Sequence, residues 1–163
     1  MEESADPMRA EICIGLEEAR GAFAELLGSL SEADLRTKPE GSGWSVGEVA
    51  IHVVSSIERT PALIRALRRD QDYLNYPLPI AERIKRLYTW WAARGVTREA
   101  LARRFEAAYP PVLALVDTIR REEWERGGHA YGEGYWTVEH ALRHQREHMQ
   151  EHVEQIGRVL QRG

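Results

Sequence analysis

The chain has 163 residues, of which 43% are hydrophobic and 29% charged, and this composition predicts one globular domain over residues 1–163. Its formal net charge of −4 provides no basic surface for nucleic acid, so a DNA- or RNA-binding role is disfavoured. The single cysteine, Cys13, excludes an internal disulfide and a cysteine-based zinc site, and we expect it to be a small core residue. An acidic N-terminal segment without a long apolar run predicts a cytoplasmic protein that does not engage membranes.

Helical periodicity dominates the chain, and no segment shows convincing strand alternation. A first helix is predicted from about residue 8 to residue 30, followed by a loop that contains Pro39. The second helix is expected to begin at Ser45, because Ser45 and Glu48 match the S-x-x-E capping box. In that motif each side chain accepts a hydrogen bond from a backbone amide of the first turn.

The middle of the chain is less regular. Two prolines break the helical pattern in residues 72–79, and a short helix through Ile84 and Trp91 is expected to lie across the other helices. A third long helix is predicted from about residue 97 to residue 120. Pro110 and Pro111 interrupt this pattern, so we expect a kink or a fresh start there.

The C-terminal part is predicted to contain a glycine-rich turn over residues 127–135 and a fourth long helix from about residue 137 to residue 160. Four long amphipathic helices in one chain indicate an all-α four-helix bundle. The connection between the second and third long helices is about 27 residues long, enough for a crossover that leaves these helices parallel. The expected topology is therefore up-down-down-up, with the second and fourth helices antiparallel.

Four of the six histidines occur at every fourth position of the predicted fourth helix: His140, His144, His148 and His152. Residues four apart lie one above the other on a helix. At about 100° per residue, His148 and His152 border the apolar stripe of this helix, whereas His140 lies nearly opposite it. Spacing alone leaves two interpretations open, which are a metal-binding pair and a solvated polar face.

A metal site requires a third ligand from another part of the chain, and His52 and His129 are the remaining histidines. His52 lies about two turns into the second helix, at nearly the level of His148 and His152 if the second and fourth helices are antiparallel. His129 falls in a loop and is expected to be a surface residue.

Two metal motifs can be set aside. The sequence H-x-x-E-H matches the inverted zinc-protease signature, but too few residues follow His152 to supply that family's further carboxylate ligand. Di-iron carboxylate bundles require Glu-x-x-His, and none of the histidines has a glutamate three positions before it.

The segment LSEADLRTKPEGSGWSVGEVAIHV, together with HMQEHVEQI some distance later, resembles the DinB-like (damage-inducible) superfamily. This resemblance covers essentially the whole chain and implies an up-down-down-up four-helix bundle that holds one divalent metal ion, such as Zn²⁺ or Ni²⁺. By the same match the ligands are His52, His148 and His152, and Gln155 and Ile156 form the trailing pair. His144 matches a position that is often histidine without being a ligand.

Characterised relatives implied by the resemblance include transferases and isomerases that use a low-molecular-weight thiol such as bacillithiol, mycothiol or glutathione. Three histidine ligands leave an open coordination position, as in catalytic zinc sites. Such a position can activate a water or a thiol. We therefore expect a thiol S-transferase or a hydrolase acting on small molecules. The alternative is a non-catalytic metal-binding or oligomeric module that retains the site without turnover.

Other residues are less informative. Trp44, Tyr135 and Trp136 could line a pocket, although aromatic residues near helix ends more often cover the core. No general base is evident, since Glu151 is predicted to face solvent. A homodimer is expected, because cyclic dimers are the commonest assembly and aromatic residues crowd the connection between the second and third helices.

Overall fold

The computed structural model describes residues 6–39 and 43–161, which form five α-helices and a short β-hairpin. In chain order the elements are α1 (Pro7–Ser29), α2 (Val46–Leu67), α3 (Leu78–Ala92), α4 (Arg98–Asp117), β1 (Gly127–His129), β2 (Tyr135–Thr137) and α5 (Val138–Gln161). Short 3₁₀ turns occupy Asp34–Arg36 and Arg121–Glu123. The mostly helical character predicted from the periodicity is confirmed.

Local side chains define where the helices begin. The Ser45 hydroxyl accepts a hydrogen bond from the Glu48 amide (3.2 Å), and the Glu48 carboxylate accepts one from the Ser45 amide (2.7 Å). The predicted capping box of α2 is therefore present. Asp6 caps α1 by accepting from the Met8 amide, and Thr97 caps α4 in the same way. Each such cap satisfies an amide that the helix itself leaves without a partner.

The four long helices share one hydrophobic core. α1 packs against α4 and α5, and α2 packs against the same two helices. Phe23 of α1 and Phe105 of α4 meet edge to face, with ring centroids 4.9 Å apart, near the centre of this core. α3 packs on the outside of α2, and Thr89 is its one fully buried residue. α3 is thus peripheral to the bundle core.

The sequence predicted a kink or a fresh start of the third long helix at Pro110 and Pro111. The fresh start is wrong, because α4 continues through both prolines as a single helix. Each proline removes an amide donor from the helix. Both prolines are exposed, so water can reach the carbonyl groups that lose their partners. An exposed helix face tolerates these residues better than a buried one does.

The glycine-rich turn is a β-hairpin, which the sequence analysis did not predict. β1 and β2 are antiparallel, with Gly128 opposite Trp136. A Cβ atom on Gly127 would lie 2.2 Å from the Trp136 carbonyl oxygen, and one on Gly128 would lie 2.4 Å from the Gln71 carbonyl oxygen. The glycines therefore permit a close approach of backbones. The hairpin also holds the α2–α3 connection, since the Tyr73 amide donates to the His129 carbonyl (2.9 Å).

A helix that spans a bilayer needs about 20 consecutive, predominantly apolar residues. No helix within residues 6–39 and 43–161 is both long enough and apolar enough to cross a membrane.

Candidate metal centre

Three histidine side chains from two helices meet on the wall of a cavity. The Nε2 atom of His148 lies 2.9 Å from Nε2 of His52 and 3.1 Å from Nε2 of His152. One ring nitrogen from each residue can be chosen so that all three atoms are within 4.8 Å of one another. The structure thus brings together the three residues that the sequence analysis selected as ligands, across a separation of 96 positions between His52 and His148.

The helices explain this convergence. His148 and His152 stand one turn apart on α5 and present neighbouring rings, with centroids 4.5 Å apart. His52 lies in the second turn of α2 and packs against the ring of Trp44, whose centroid is 4.9 Å away. His52 lies beside the α5 pair because it stands at the same height along the bundle as His148 and His152.

Burial favours the uncharged form of all three imidazoles. Burial, with a smaller contribution from His152 and nearby cations, lowers the pKa of His52 to about 3. Burial likewise lowers the pKa of His148 to about 2, assisted by His152 and His52. The pKa of His152 is lowered by burial despite a hydrogen bond to Gln155 that opposes the change. Neutral imidazole is the form that binds metal ions.

The donor set fits a divalent ion. Two nitrogens bound to one ion at about 2.0–2.1 Å each are separated by roughly 2.8–3.4 Å for octahedral or tetrahedral angles, and the His148 nitrogen lies at such distances from those of His52 and His152. The Nδ1–H of His152 donates to Oε1 of Gln155 (2.7 Å), which leaves the Nε2 lone pair of His152 facing the other two rings. Nδ1 of His148 is buried without a hydrogen-bond partner among the described residues.

A cavity of about 730 Å³ adjoins the three histidines. α2 lines it with residues at helical spacing, and α5 lines it in the same way. The α2 residues are His52, Ser55, Ser56, Glu58, Arg59, Thr60 and Leu63, and the α5 residues are Ala141, His144, Gln145, His148 and His152. α3 covers the cavity with largely apolar side chains such as Ile84 and Tyr88. A volume of this size accommodates a small organic molecule.

His144 and His140 have different environments. His144 lines the cavity, where its ring meets Trp136 at a centroid distance of 4.7 Å and burial lowers its pKa. It is therefore part of the cavity wall, although it lies outside the three-histidine cluster. His140 is exposed, as its angular position predicted.

The other residues considered from the sequence lie partly on the cavity wall and partly at the surface. Trp44 and Trp136 line the cavity, whereas Tyr135 is exposed. His129 is exposed, in agreement with the expectation for a loop residue. Cys13 is half-buried and packs against the core.

Gln145 was not among the candidate site residues selected from the sequence. The residue is only 5% exposed. Its Oε1 lies 3.0 Å from both the Ser56 and the Thr60 hydroxyl oxygens of α2, so a polar network joins the two helices beside the cavity. Its position three residues before His148, on the same flank of α5, is the signal that could have identified it.

Comparisons with known proteins agree with this architecture. A sequence model described as the DinB superfamily matches residues 15–156. Among solved structures, the chain is similar to YfiT from Bacillus subtilis, described as a probable metal-dependent hydrolase with an unusual four-helix bundle topology. The two share 17% identity with a TM-score of 0.80, over 99% of this chain and 91% of YfiT. A comparison with curated protein sequences finds no significant match.

Proposed function

Because the chain belongs to the DinB superfamily, we propose that it is a metal-dependent enzyme that acts on a small molecule, with His52, His148 and His152 holding one divalent ion. The observation that carries this proposal is the cavity of about 730 Å³ that opens directly onto the three converging ring nitrogens. A site that only stores or structurally uses a metal ion needs no such space beside its ligands.

Zn²⁺ and Ni²⁺ are the ions proposed here, since both accept neutral imidazole ligands. When bound, such an ion would supply a Lewis acid able to activate a water or a thiol at neutral pH. The protein's own contribution is positional. Gln155 fixes the orientation of His152, Trp44 packs against His52, and α3 forms one wall of the cavity.

Hydrolysis and thiol transfer are the two proposed reaction types, and they differ in the nucleophile that must enter the cavity. The YfiT description supports the first type. The second requires room for a low-molecular-weight thiol beside the substrate, and the cavity volume supports that possibility too. The non-catalytic alternative predicts a site with no space for a ligand, which is the opposite of the arrangement here.

The order of contacts along the helices supports an up-down-down-up topology as part of the proposal. α1 and α4 are antiparallel, because Leu16 contacts Tyr109 while Arg20 contacts Glu106. Between α2 and α5, His52 contacts His148, whereas Thr60, which comes later on α2, contacts Gln145, which comes earlier on α5. These two helices are therefore antiparallel too.

The contacts between α2 and α4 complete the topology. For α2 and α4, Glu58 contacts Arg104 and Arg68 contacts Thr118, so these helices are parallel. The segment with α3 then serves as the crossover between them, within one domain proposed to span residues 1–163.

A homodimer is also proposed. α3 exposes a row of large apolar side chains, including Leu87 (61% exposed) and Trp91 (66% exposed). Apolar surface of this kind is stabilised when a partner covers it. Since α3 also covers the cavity, dimerisation would restrain the element that closes the site.

Turnover tests the enzymatic part of the proposal. Purified protein reconstituted with Zn²⁺ or Ni²⁺ should hydrolyse an ester or amide panel, or transfer glutathione, bacillithiol or mycothiol to electrophiles such as chlorodinitrobenzene. His52→Ala should abolish that activity, and Arg65→Met, an exposed change on the same helix, should not. Absence of turnover from a fully metal-loaded protein over the whole panel would favour the non-catalytic module.

A further inference from the structure

The charged side chains that line the cavity are mostly paired with each other or with neighbours. Glu58 is joined to Arg104 (2.7 Å), and Lys85 is joined to Glu82 (2.5 Å). Arg59 differs, because no carboxylate among the described residues lies within ion-pair distance of it. Glu133, also on the cavity wall, is exposed and does not pair with Arg59. Arg59 is therefore a cation in the cavity whose charge is not balanced by a direct partner.

A tyrosine ring lies beside this guanidinium. Its central carbon lies 5.8 Å from the centroid of the Tyr88 ring. Burial raises the pKa of the Tyr131 hydroxyl to about 12, and the nearby Arg59 opposes that rise. The residue is half-buried. A guanidinium partly removed from water in this way forms stronger hydrogen bonds to an anion than an exposed one does.

The position of Arg59 relative to the histidines defines the shape of a ligand. Arg59 follows His52 by seven residues on α2, so both side chains lie on one face, roughly 10 Å apart along the helix axis. Between them the wall is formed by small hydroxyl residues of α2 and, from α3, by apolar side chains such as Ile84. The three histidines and Arg59 therefore occupy separate positions on a wall that combines hydroxyl groups of α2 with apolar side chains of α3.

We propose that the substrate of this site is a small molecule with an apolar body and one carboxylate, and that Arg59 binds the carboxylate while the reactive end lies at the three histidines. The inference rests on the proposed function, since the same cavity serves both. A single unpaired guanidinium balances one negative charge and offers the two parallel N–H donors that a carboxylate accepts. A dianionic phosphate would require a second free cation, and Lys85 is engaged by Glu82.

Binding of octanoate and of its uncharged analogue octanamide to the purified full-length protein tests this assignment by calorimetry. We expect octanoate to bind about tenfold or more tightly than octanamide, because hydrogen bonds to a charged group contribute more than neutral ones. Arg59→Met should reduce the preference to less than about threefold. Arg59→Lys should keep part of it, since the charge remains while the fork-shaped donor is lost.

Arg65→Met is the matched control, because Arg65 is exposed on the same helix and does not line the cavity; it should behave like the unmodified protein. Thermal unfolding of each variant establishes that it is folded. If Arg59→Met is not folded, the preference of Arg59→Lys for octanoate over octanamide decides whether the inference holds. Repeating the titrations with His152→Ala separates any carboxylate binding to a metal ion from binding to Arg59. Equal affinity for the two ligands, or a preference that survives Arg59→Met, would overturn the inference. Loss of turnover with an intact preference would instead count against the proposed function alone.

Discussion

The Nδ1 atom of His152 and the Oε1 atom of Gln155 lie 2.7 Å apart, one turn from each other on α5. This contact fixes the tautomer of His152 that leaves Nε2 free to bind a metal ion. The trailing glutamine of the H-x-x-x-H-x-x-Q motif therefore has a physical role in the site.

We predict that Gln155→Ala weakens metal binding about 10- to 100-fold without abolishing it, because the ligand set remains while the orientation of one ring is lost. Gln155→Glu should bind at least as tightly as the unmodified protein, since a carboxylate also accepts from Nδ1–H. Competition with a chromophoric chelator measures the affinity. Gln150→Ala, on the same helix and outside the three-histidine cluster, is the control, and an equal affinity in Gln155→Ala and Gln150→Ala would refute the prediction.

The buried histidines also predict how the metal-free protein responds to acid. In the unfolded chain they take up protons as pH falls through about 6.5. In the folded protein the pKa is about 3 for His52 and about 2 for His148. Their contribution to the free energy of unfolding is therefore fully present above pH 6.5. It declines as the pH falls from there toward 3, by at most about 1.4 kcal/mol per pH unit for each histidine.

Urea denaturation of the chelator-treated protein at pH 7.5, 6 and 5 measures this dependence. His148→Gln removes one titrating group, so its free energy of unfolding should fall less steeply with decreasing pH than that of the unmodified protein. His140→Gln, at an exposed position, should leave the slope unchanged. Identical slopes in all three proteins would show that the buried histidines do not control the acid response.

The exposed face of α3 predicts self-association. Light scattering should give twice the chain mass at micromolar concentration, and Leu87→Glu or Trp91→Glu should give the monomer mass, because each places a charge on the apolar row. Arg86→Glu, on the same helix but outside that row, serves as the control for the added charge. A monomer mass for the unmodified protein would contradict the proposed dimer.

Several features of the molecule could be predicted from the sequence for clear physical reasons. The long amphipathic helices follow from apolar periodicity, and the start of α2 follows from Ser45 and Glu48, whose capping interaction depends only on local spacing. His148 and His152 could be placed together because residues four apart on a helix always are. The assignment of His52 as their partner needed the family resemblance as well as the level of the two helices.

Other features depend on contacts between distant parts of the chain. Gln145 has a polar side chain of the kind that usually lies at the surface. Only its hydrogen bonds with the hydroxyl groups of Ser56 and Thr60 on another helix make its burial favourable. The hairpin strands are too short to show alternation, and they are held by the Tyr73 segment, more than fifty residues earlier. Arg59 lies on the flank between the apolar and polar faces of α2, where sequence alone does not distinguish a cavity from solvent.

Metal content of the purified protein is the most direct test of the central claim that His52, His148 and His152 hold one divalent ion. Elemental analysis should find about one Zn²⁺ or Ni²⁺ per chain in the unmodified protein and in His140→Ala. It should find almost none in His52→Ala, His148→Ala or His152→Ala, because two histidines retain a divalent ion too weakly to survive purification. Equal metal content in all five proteins, with thermal unfolding showing each to be folded, would contradict the account.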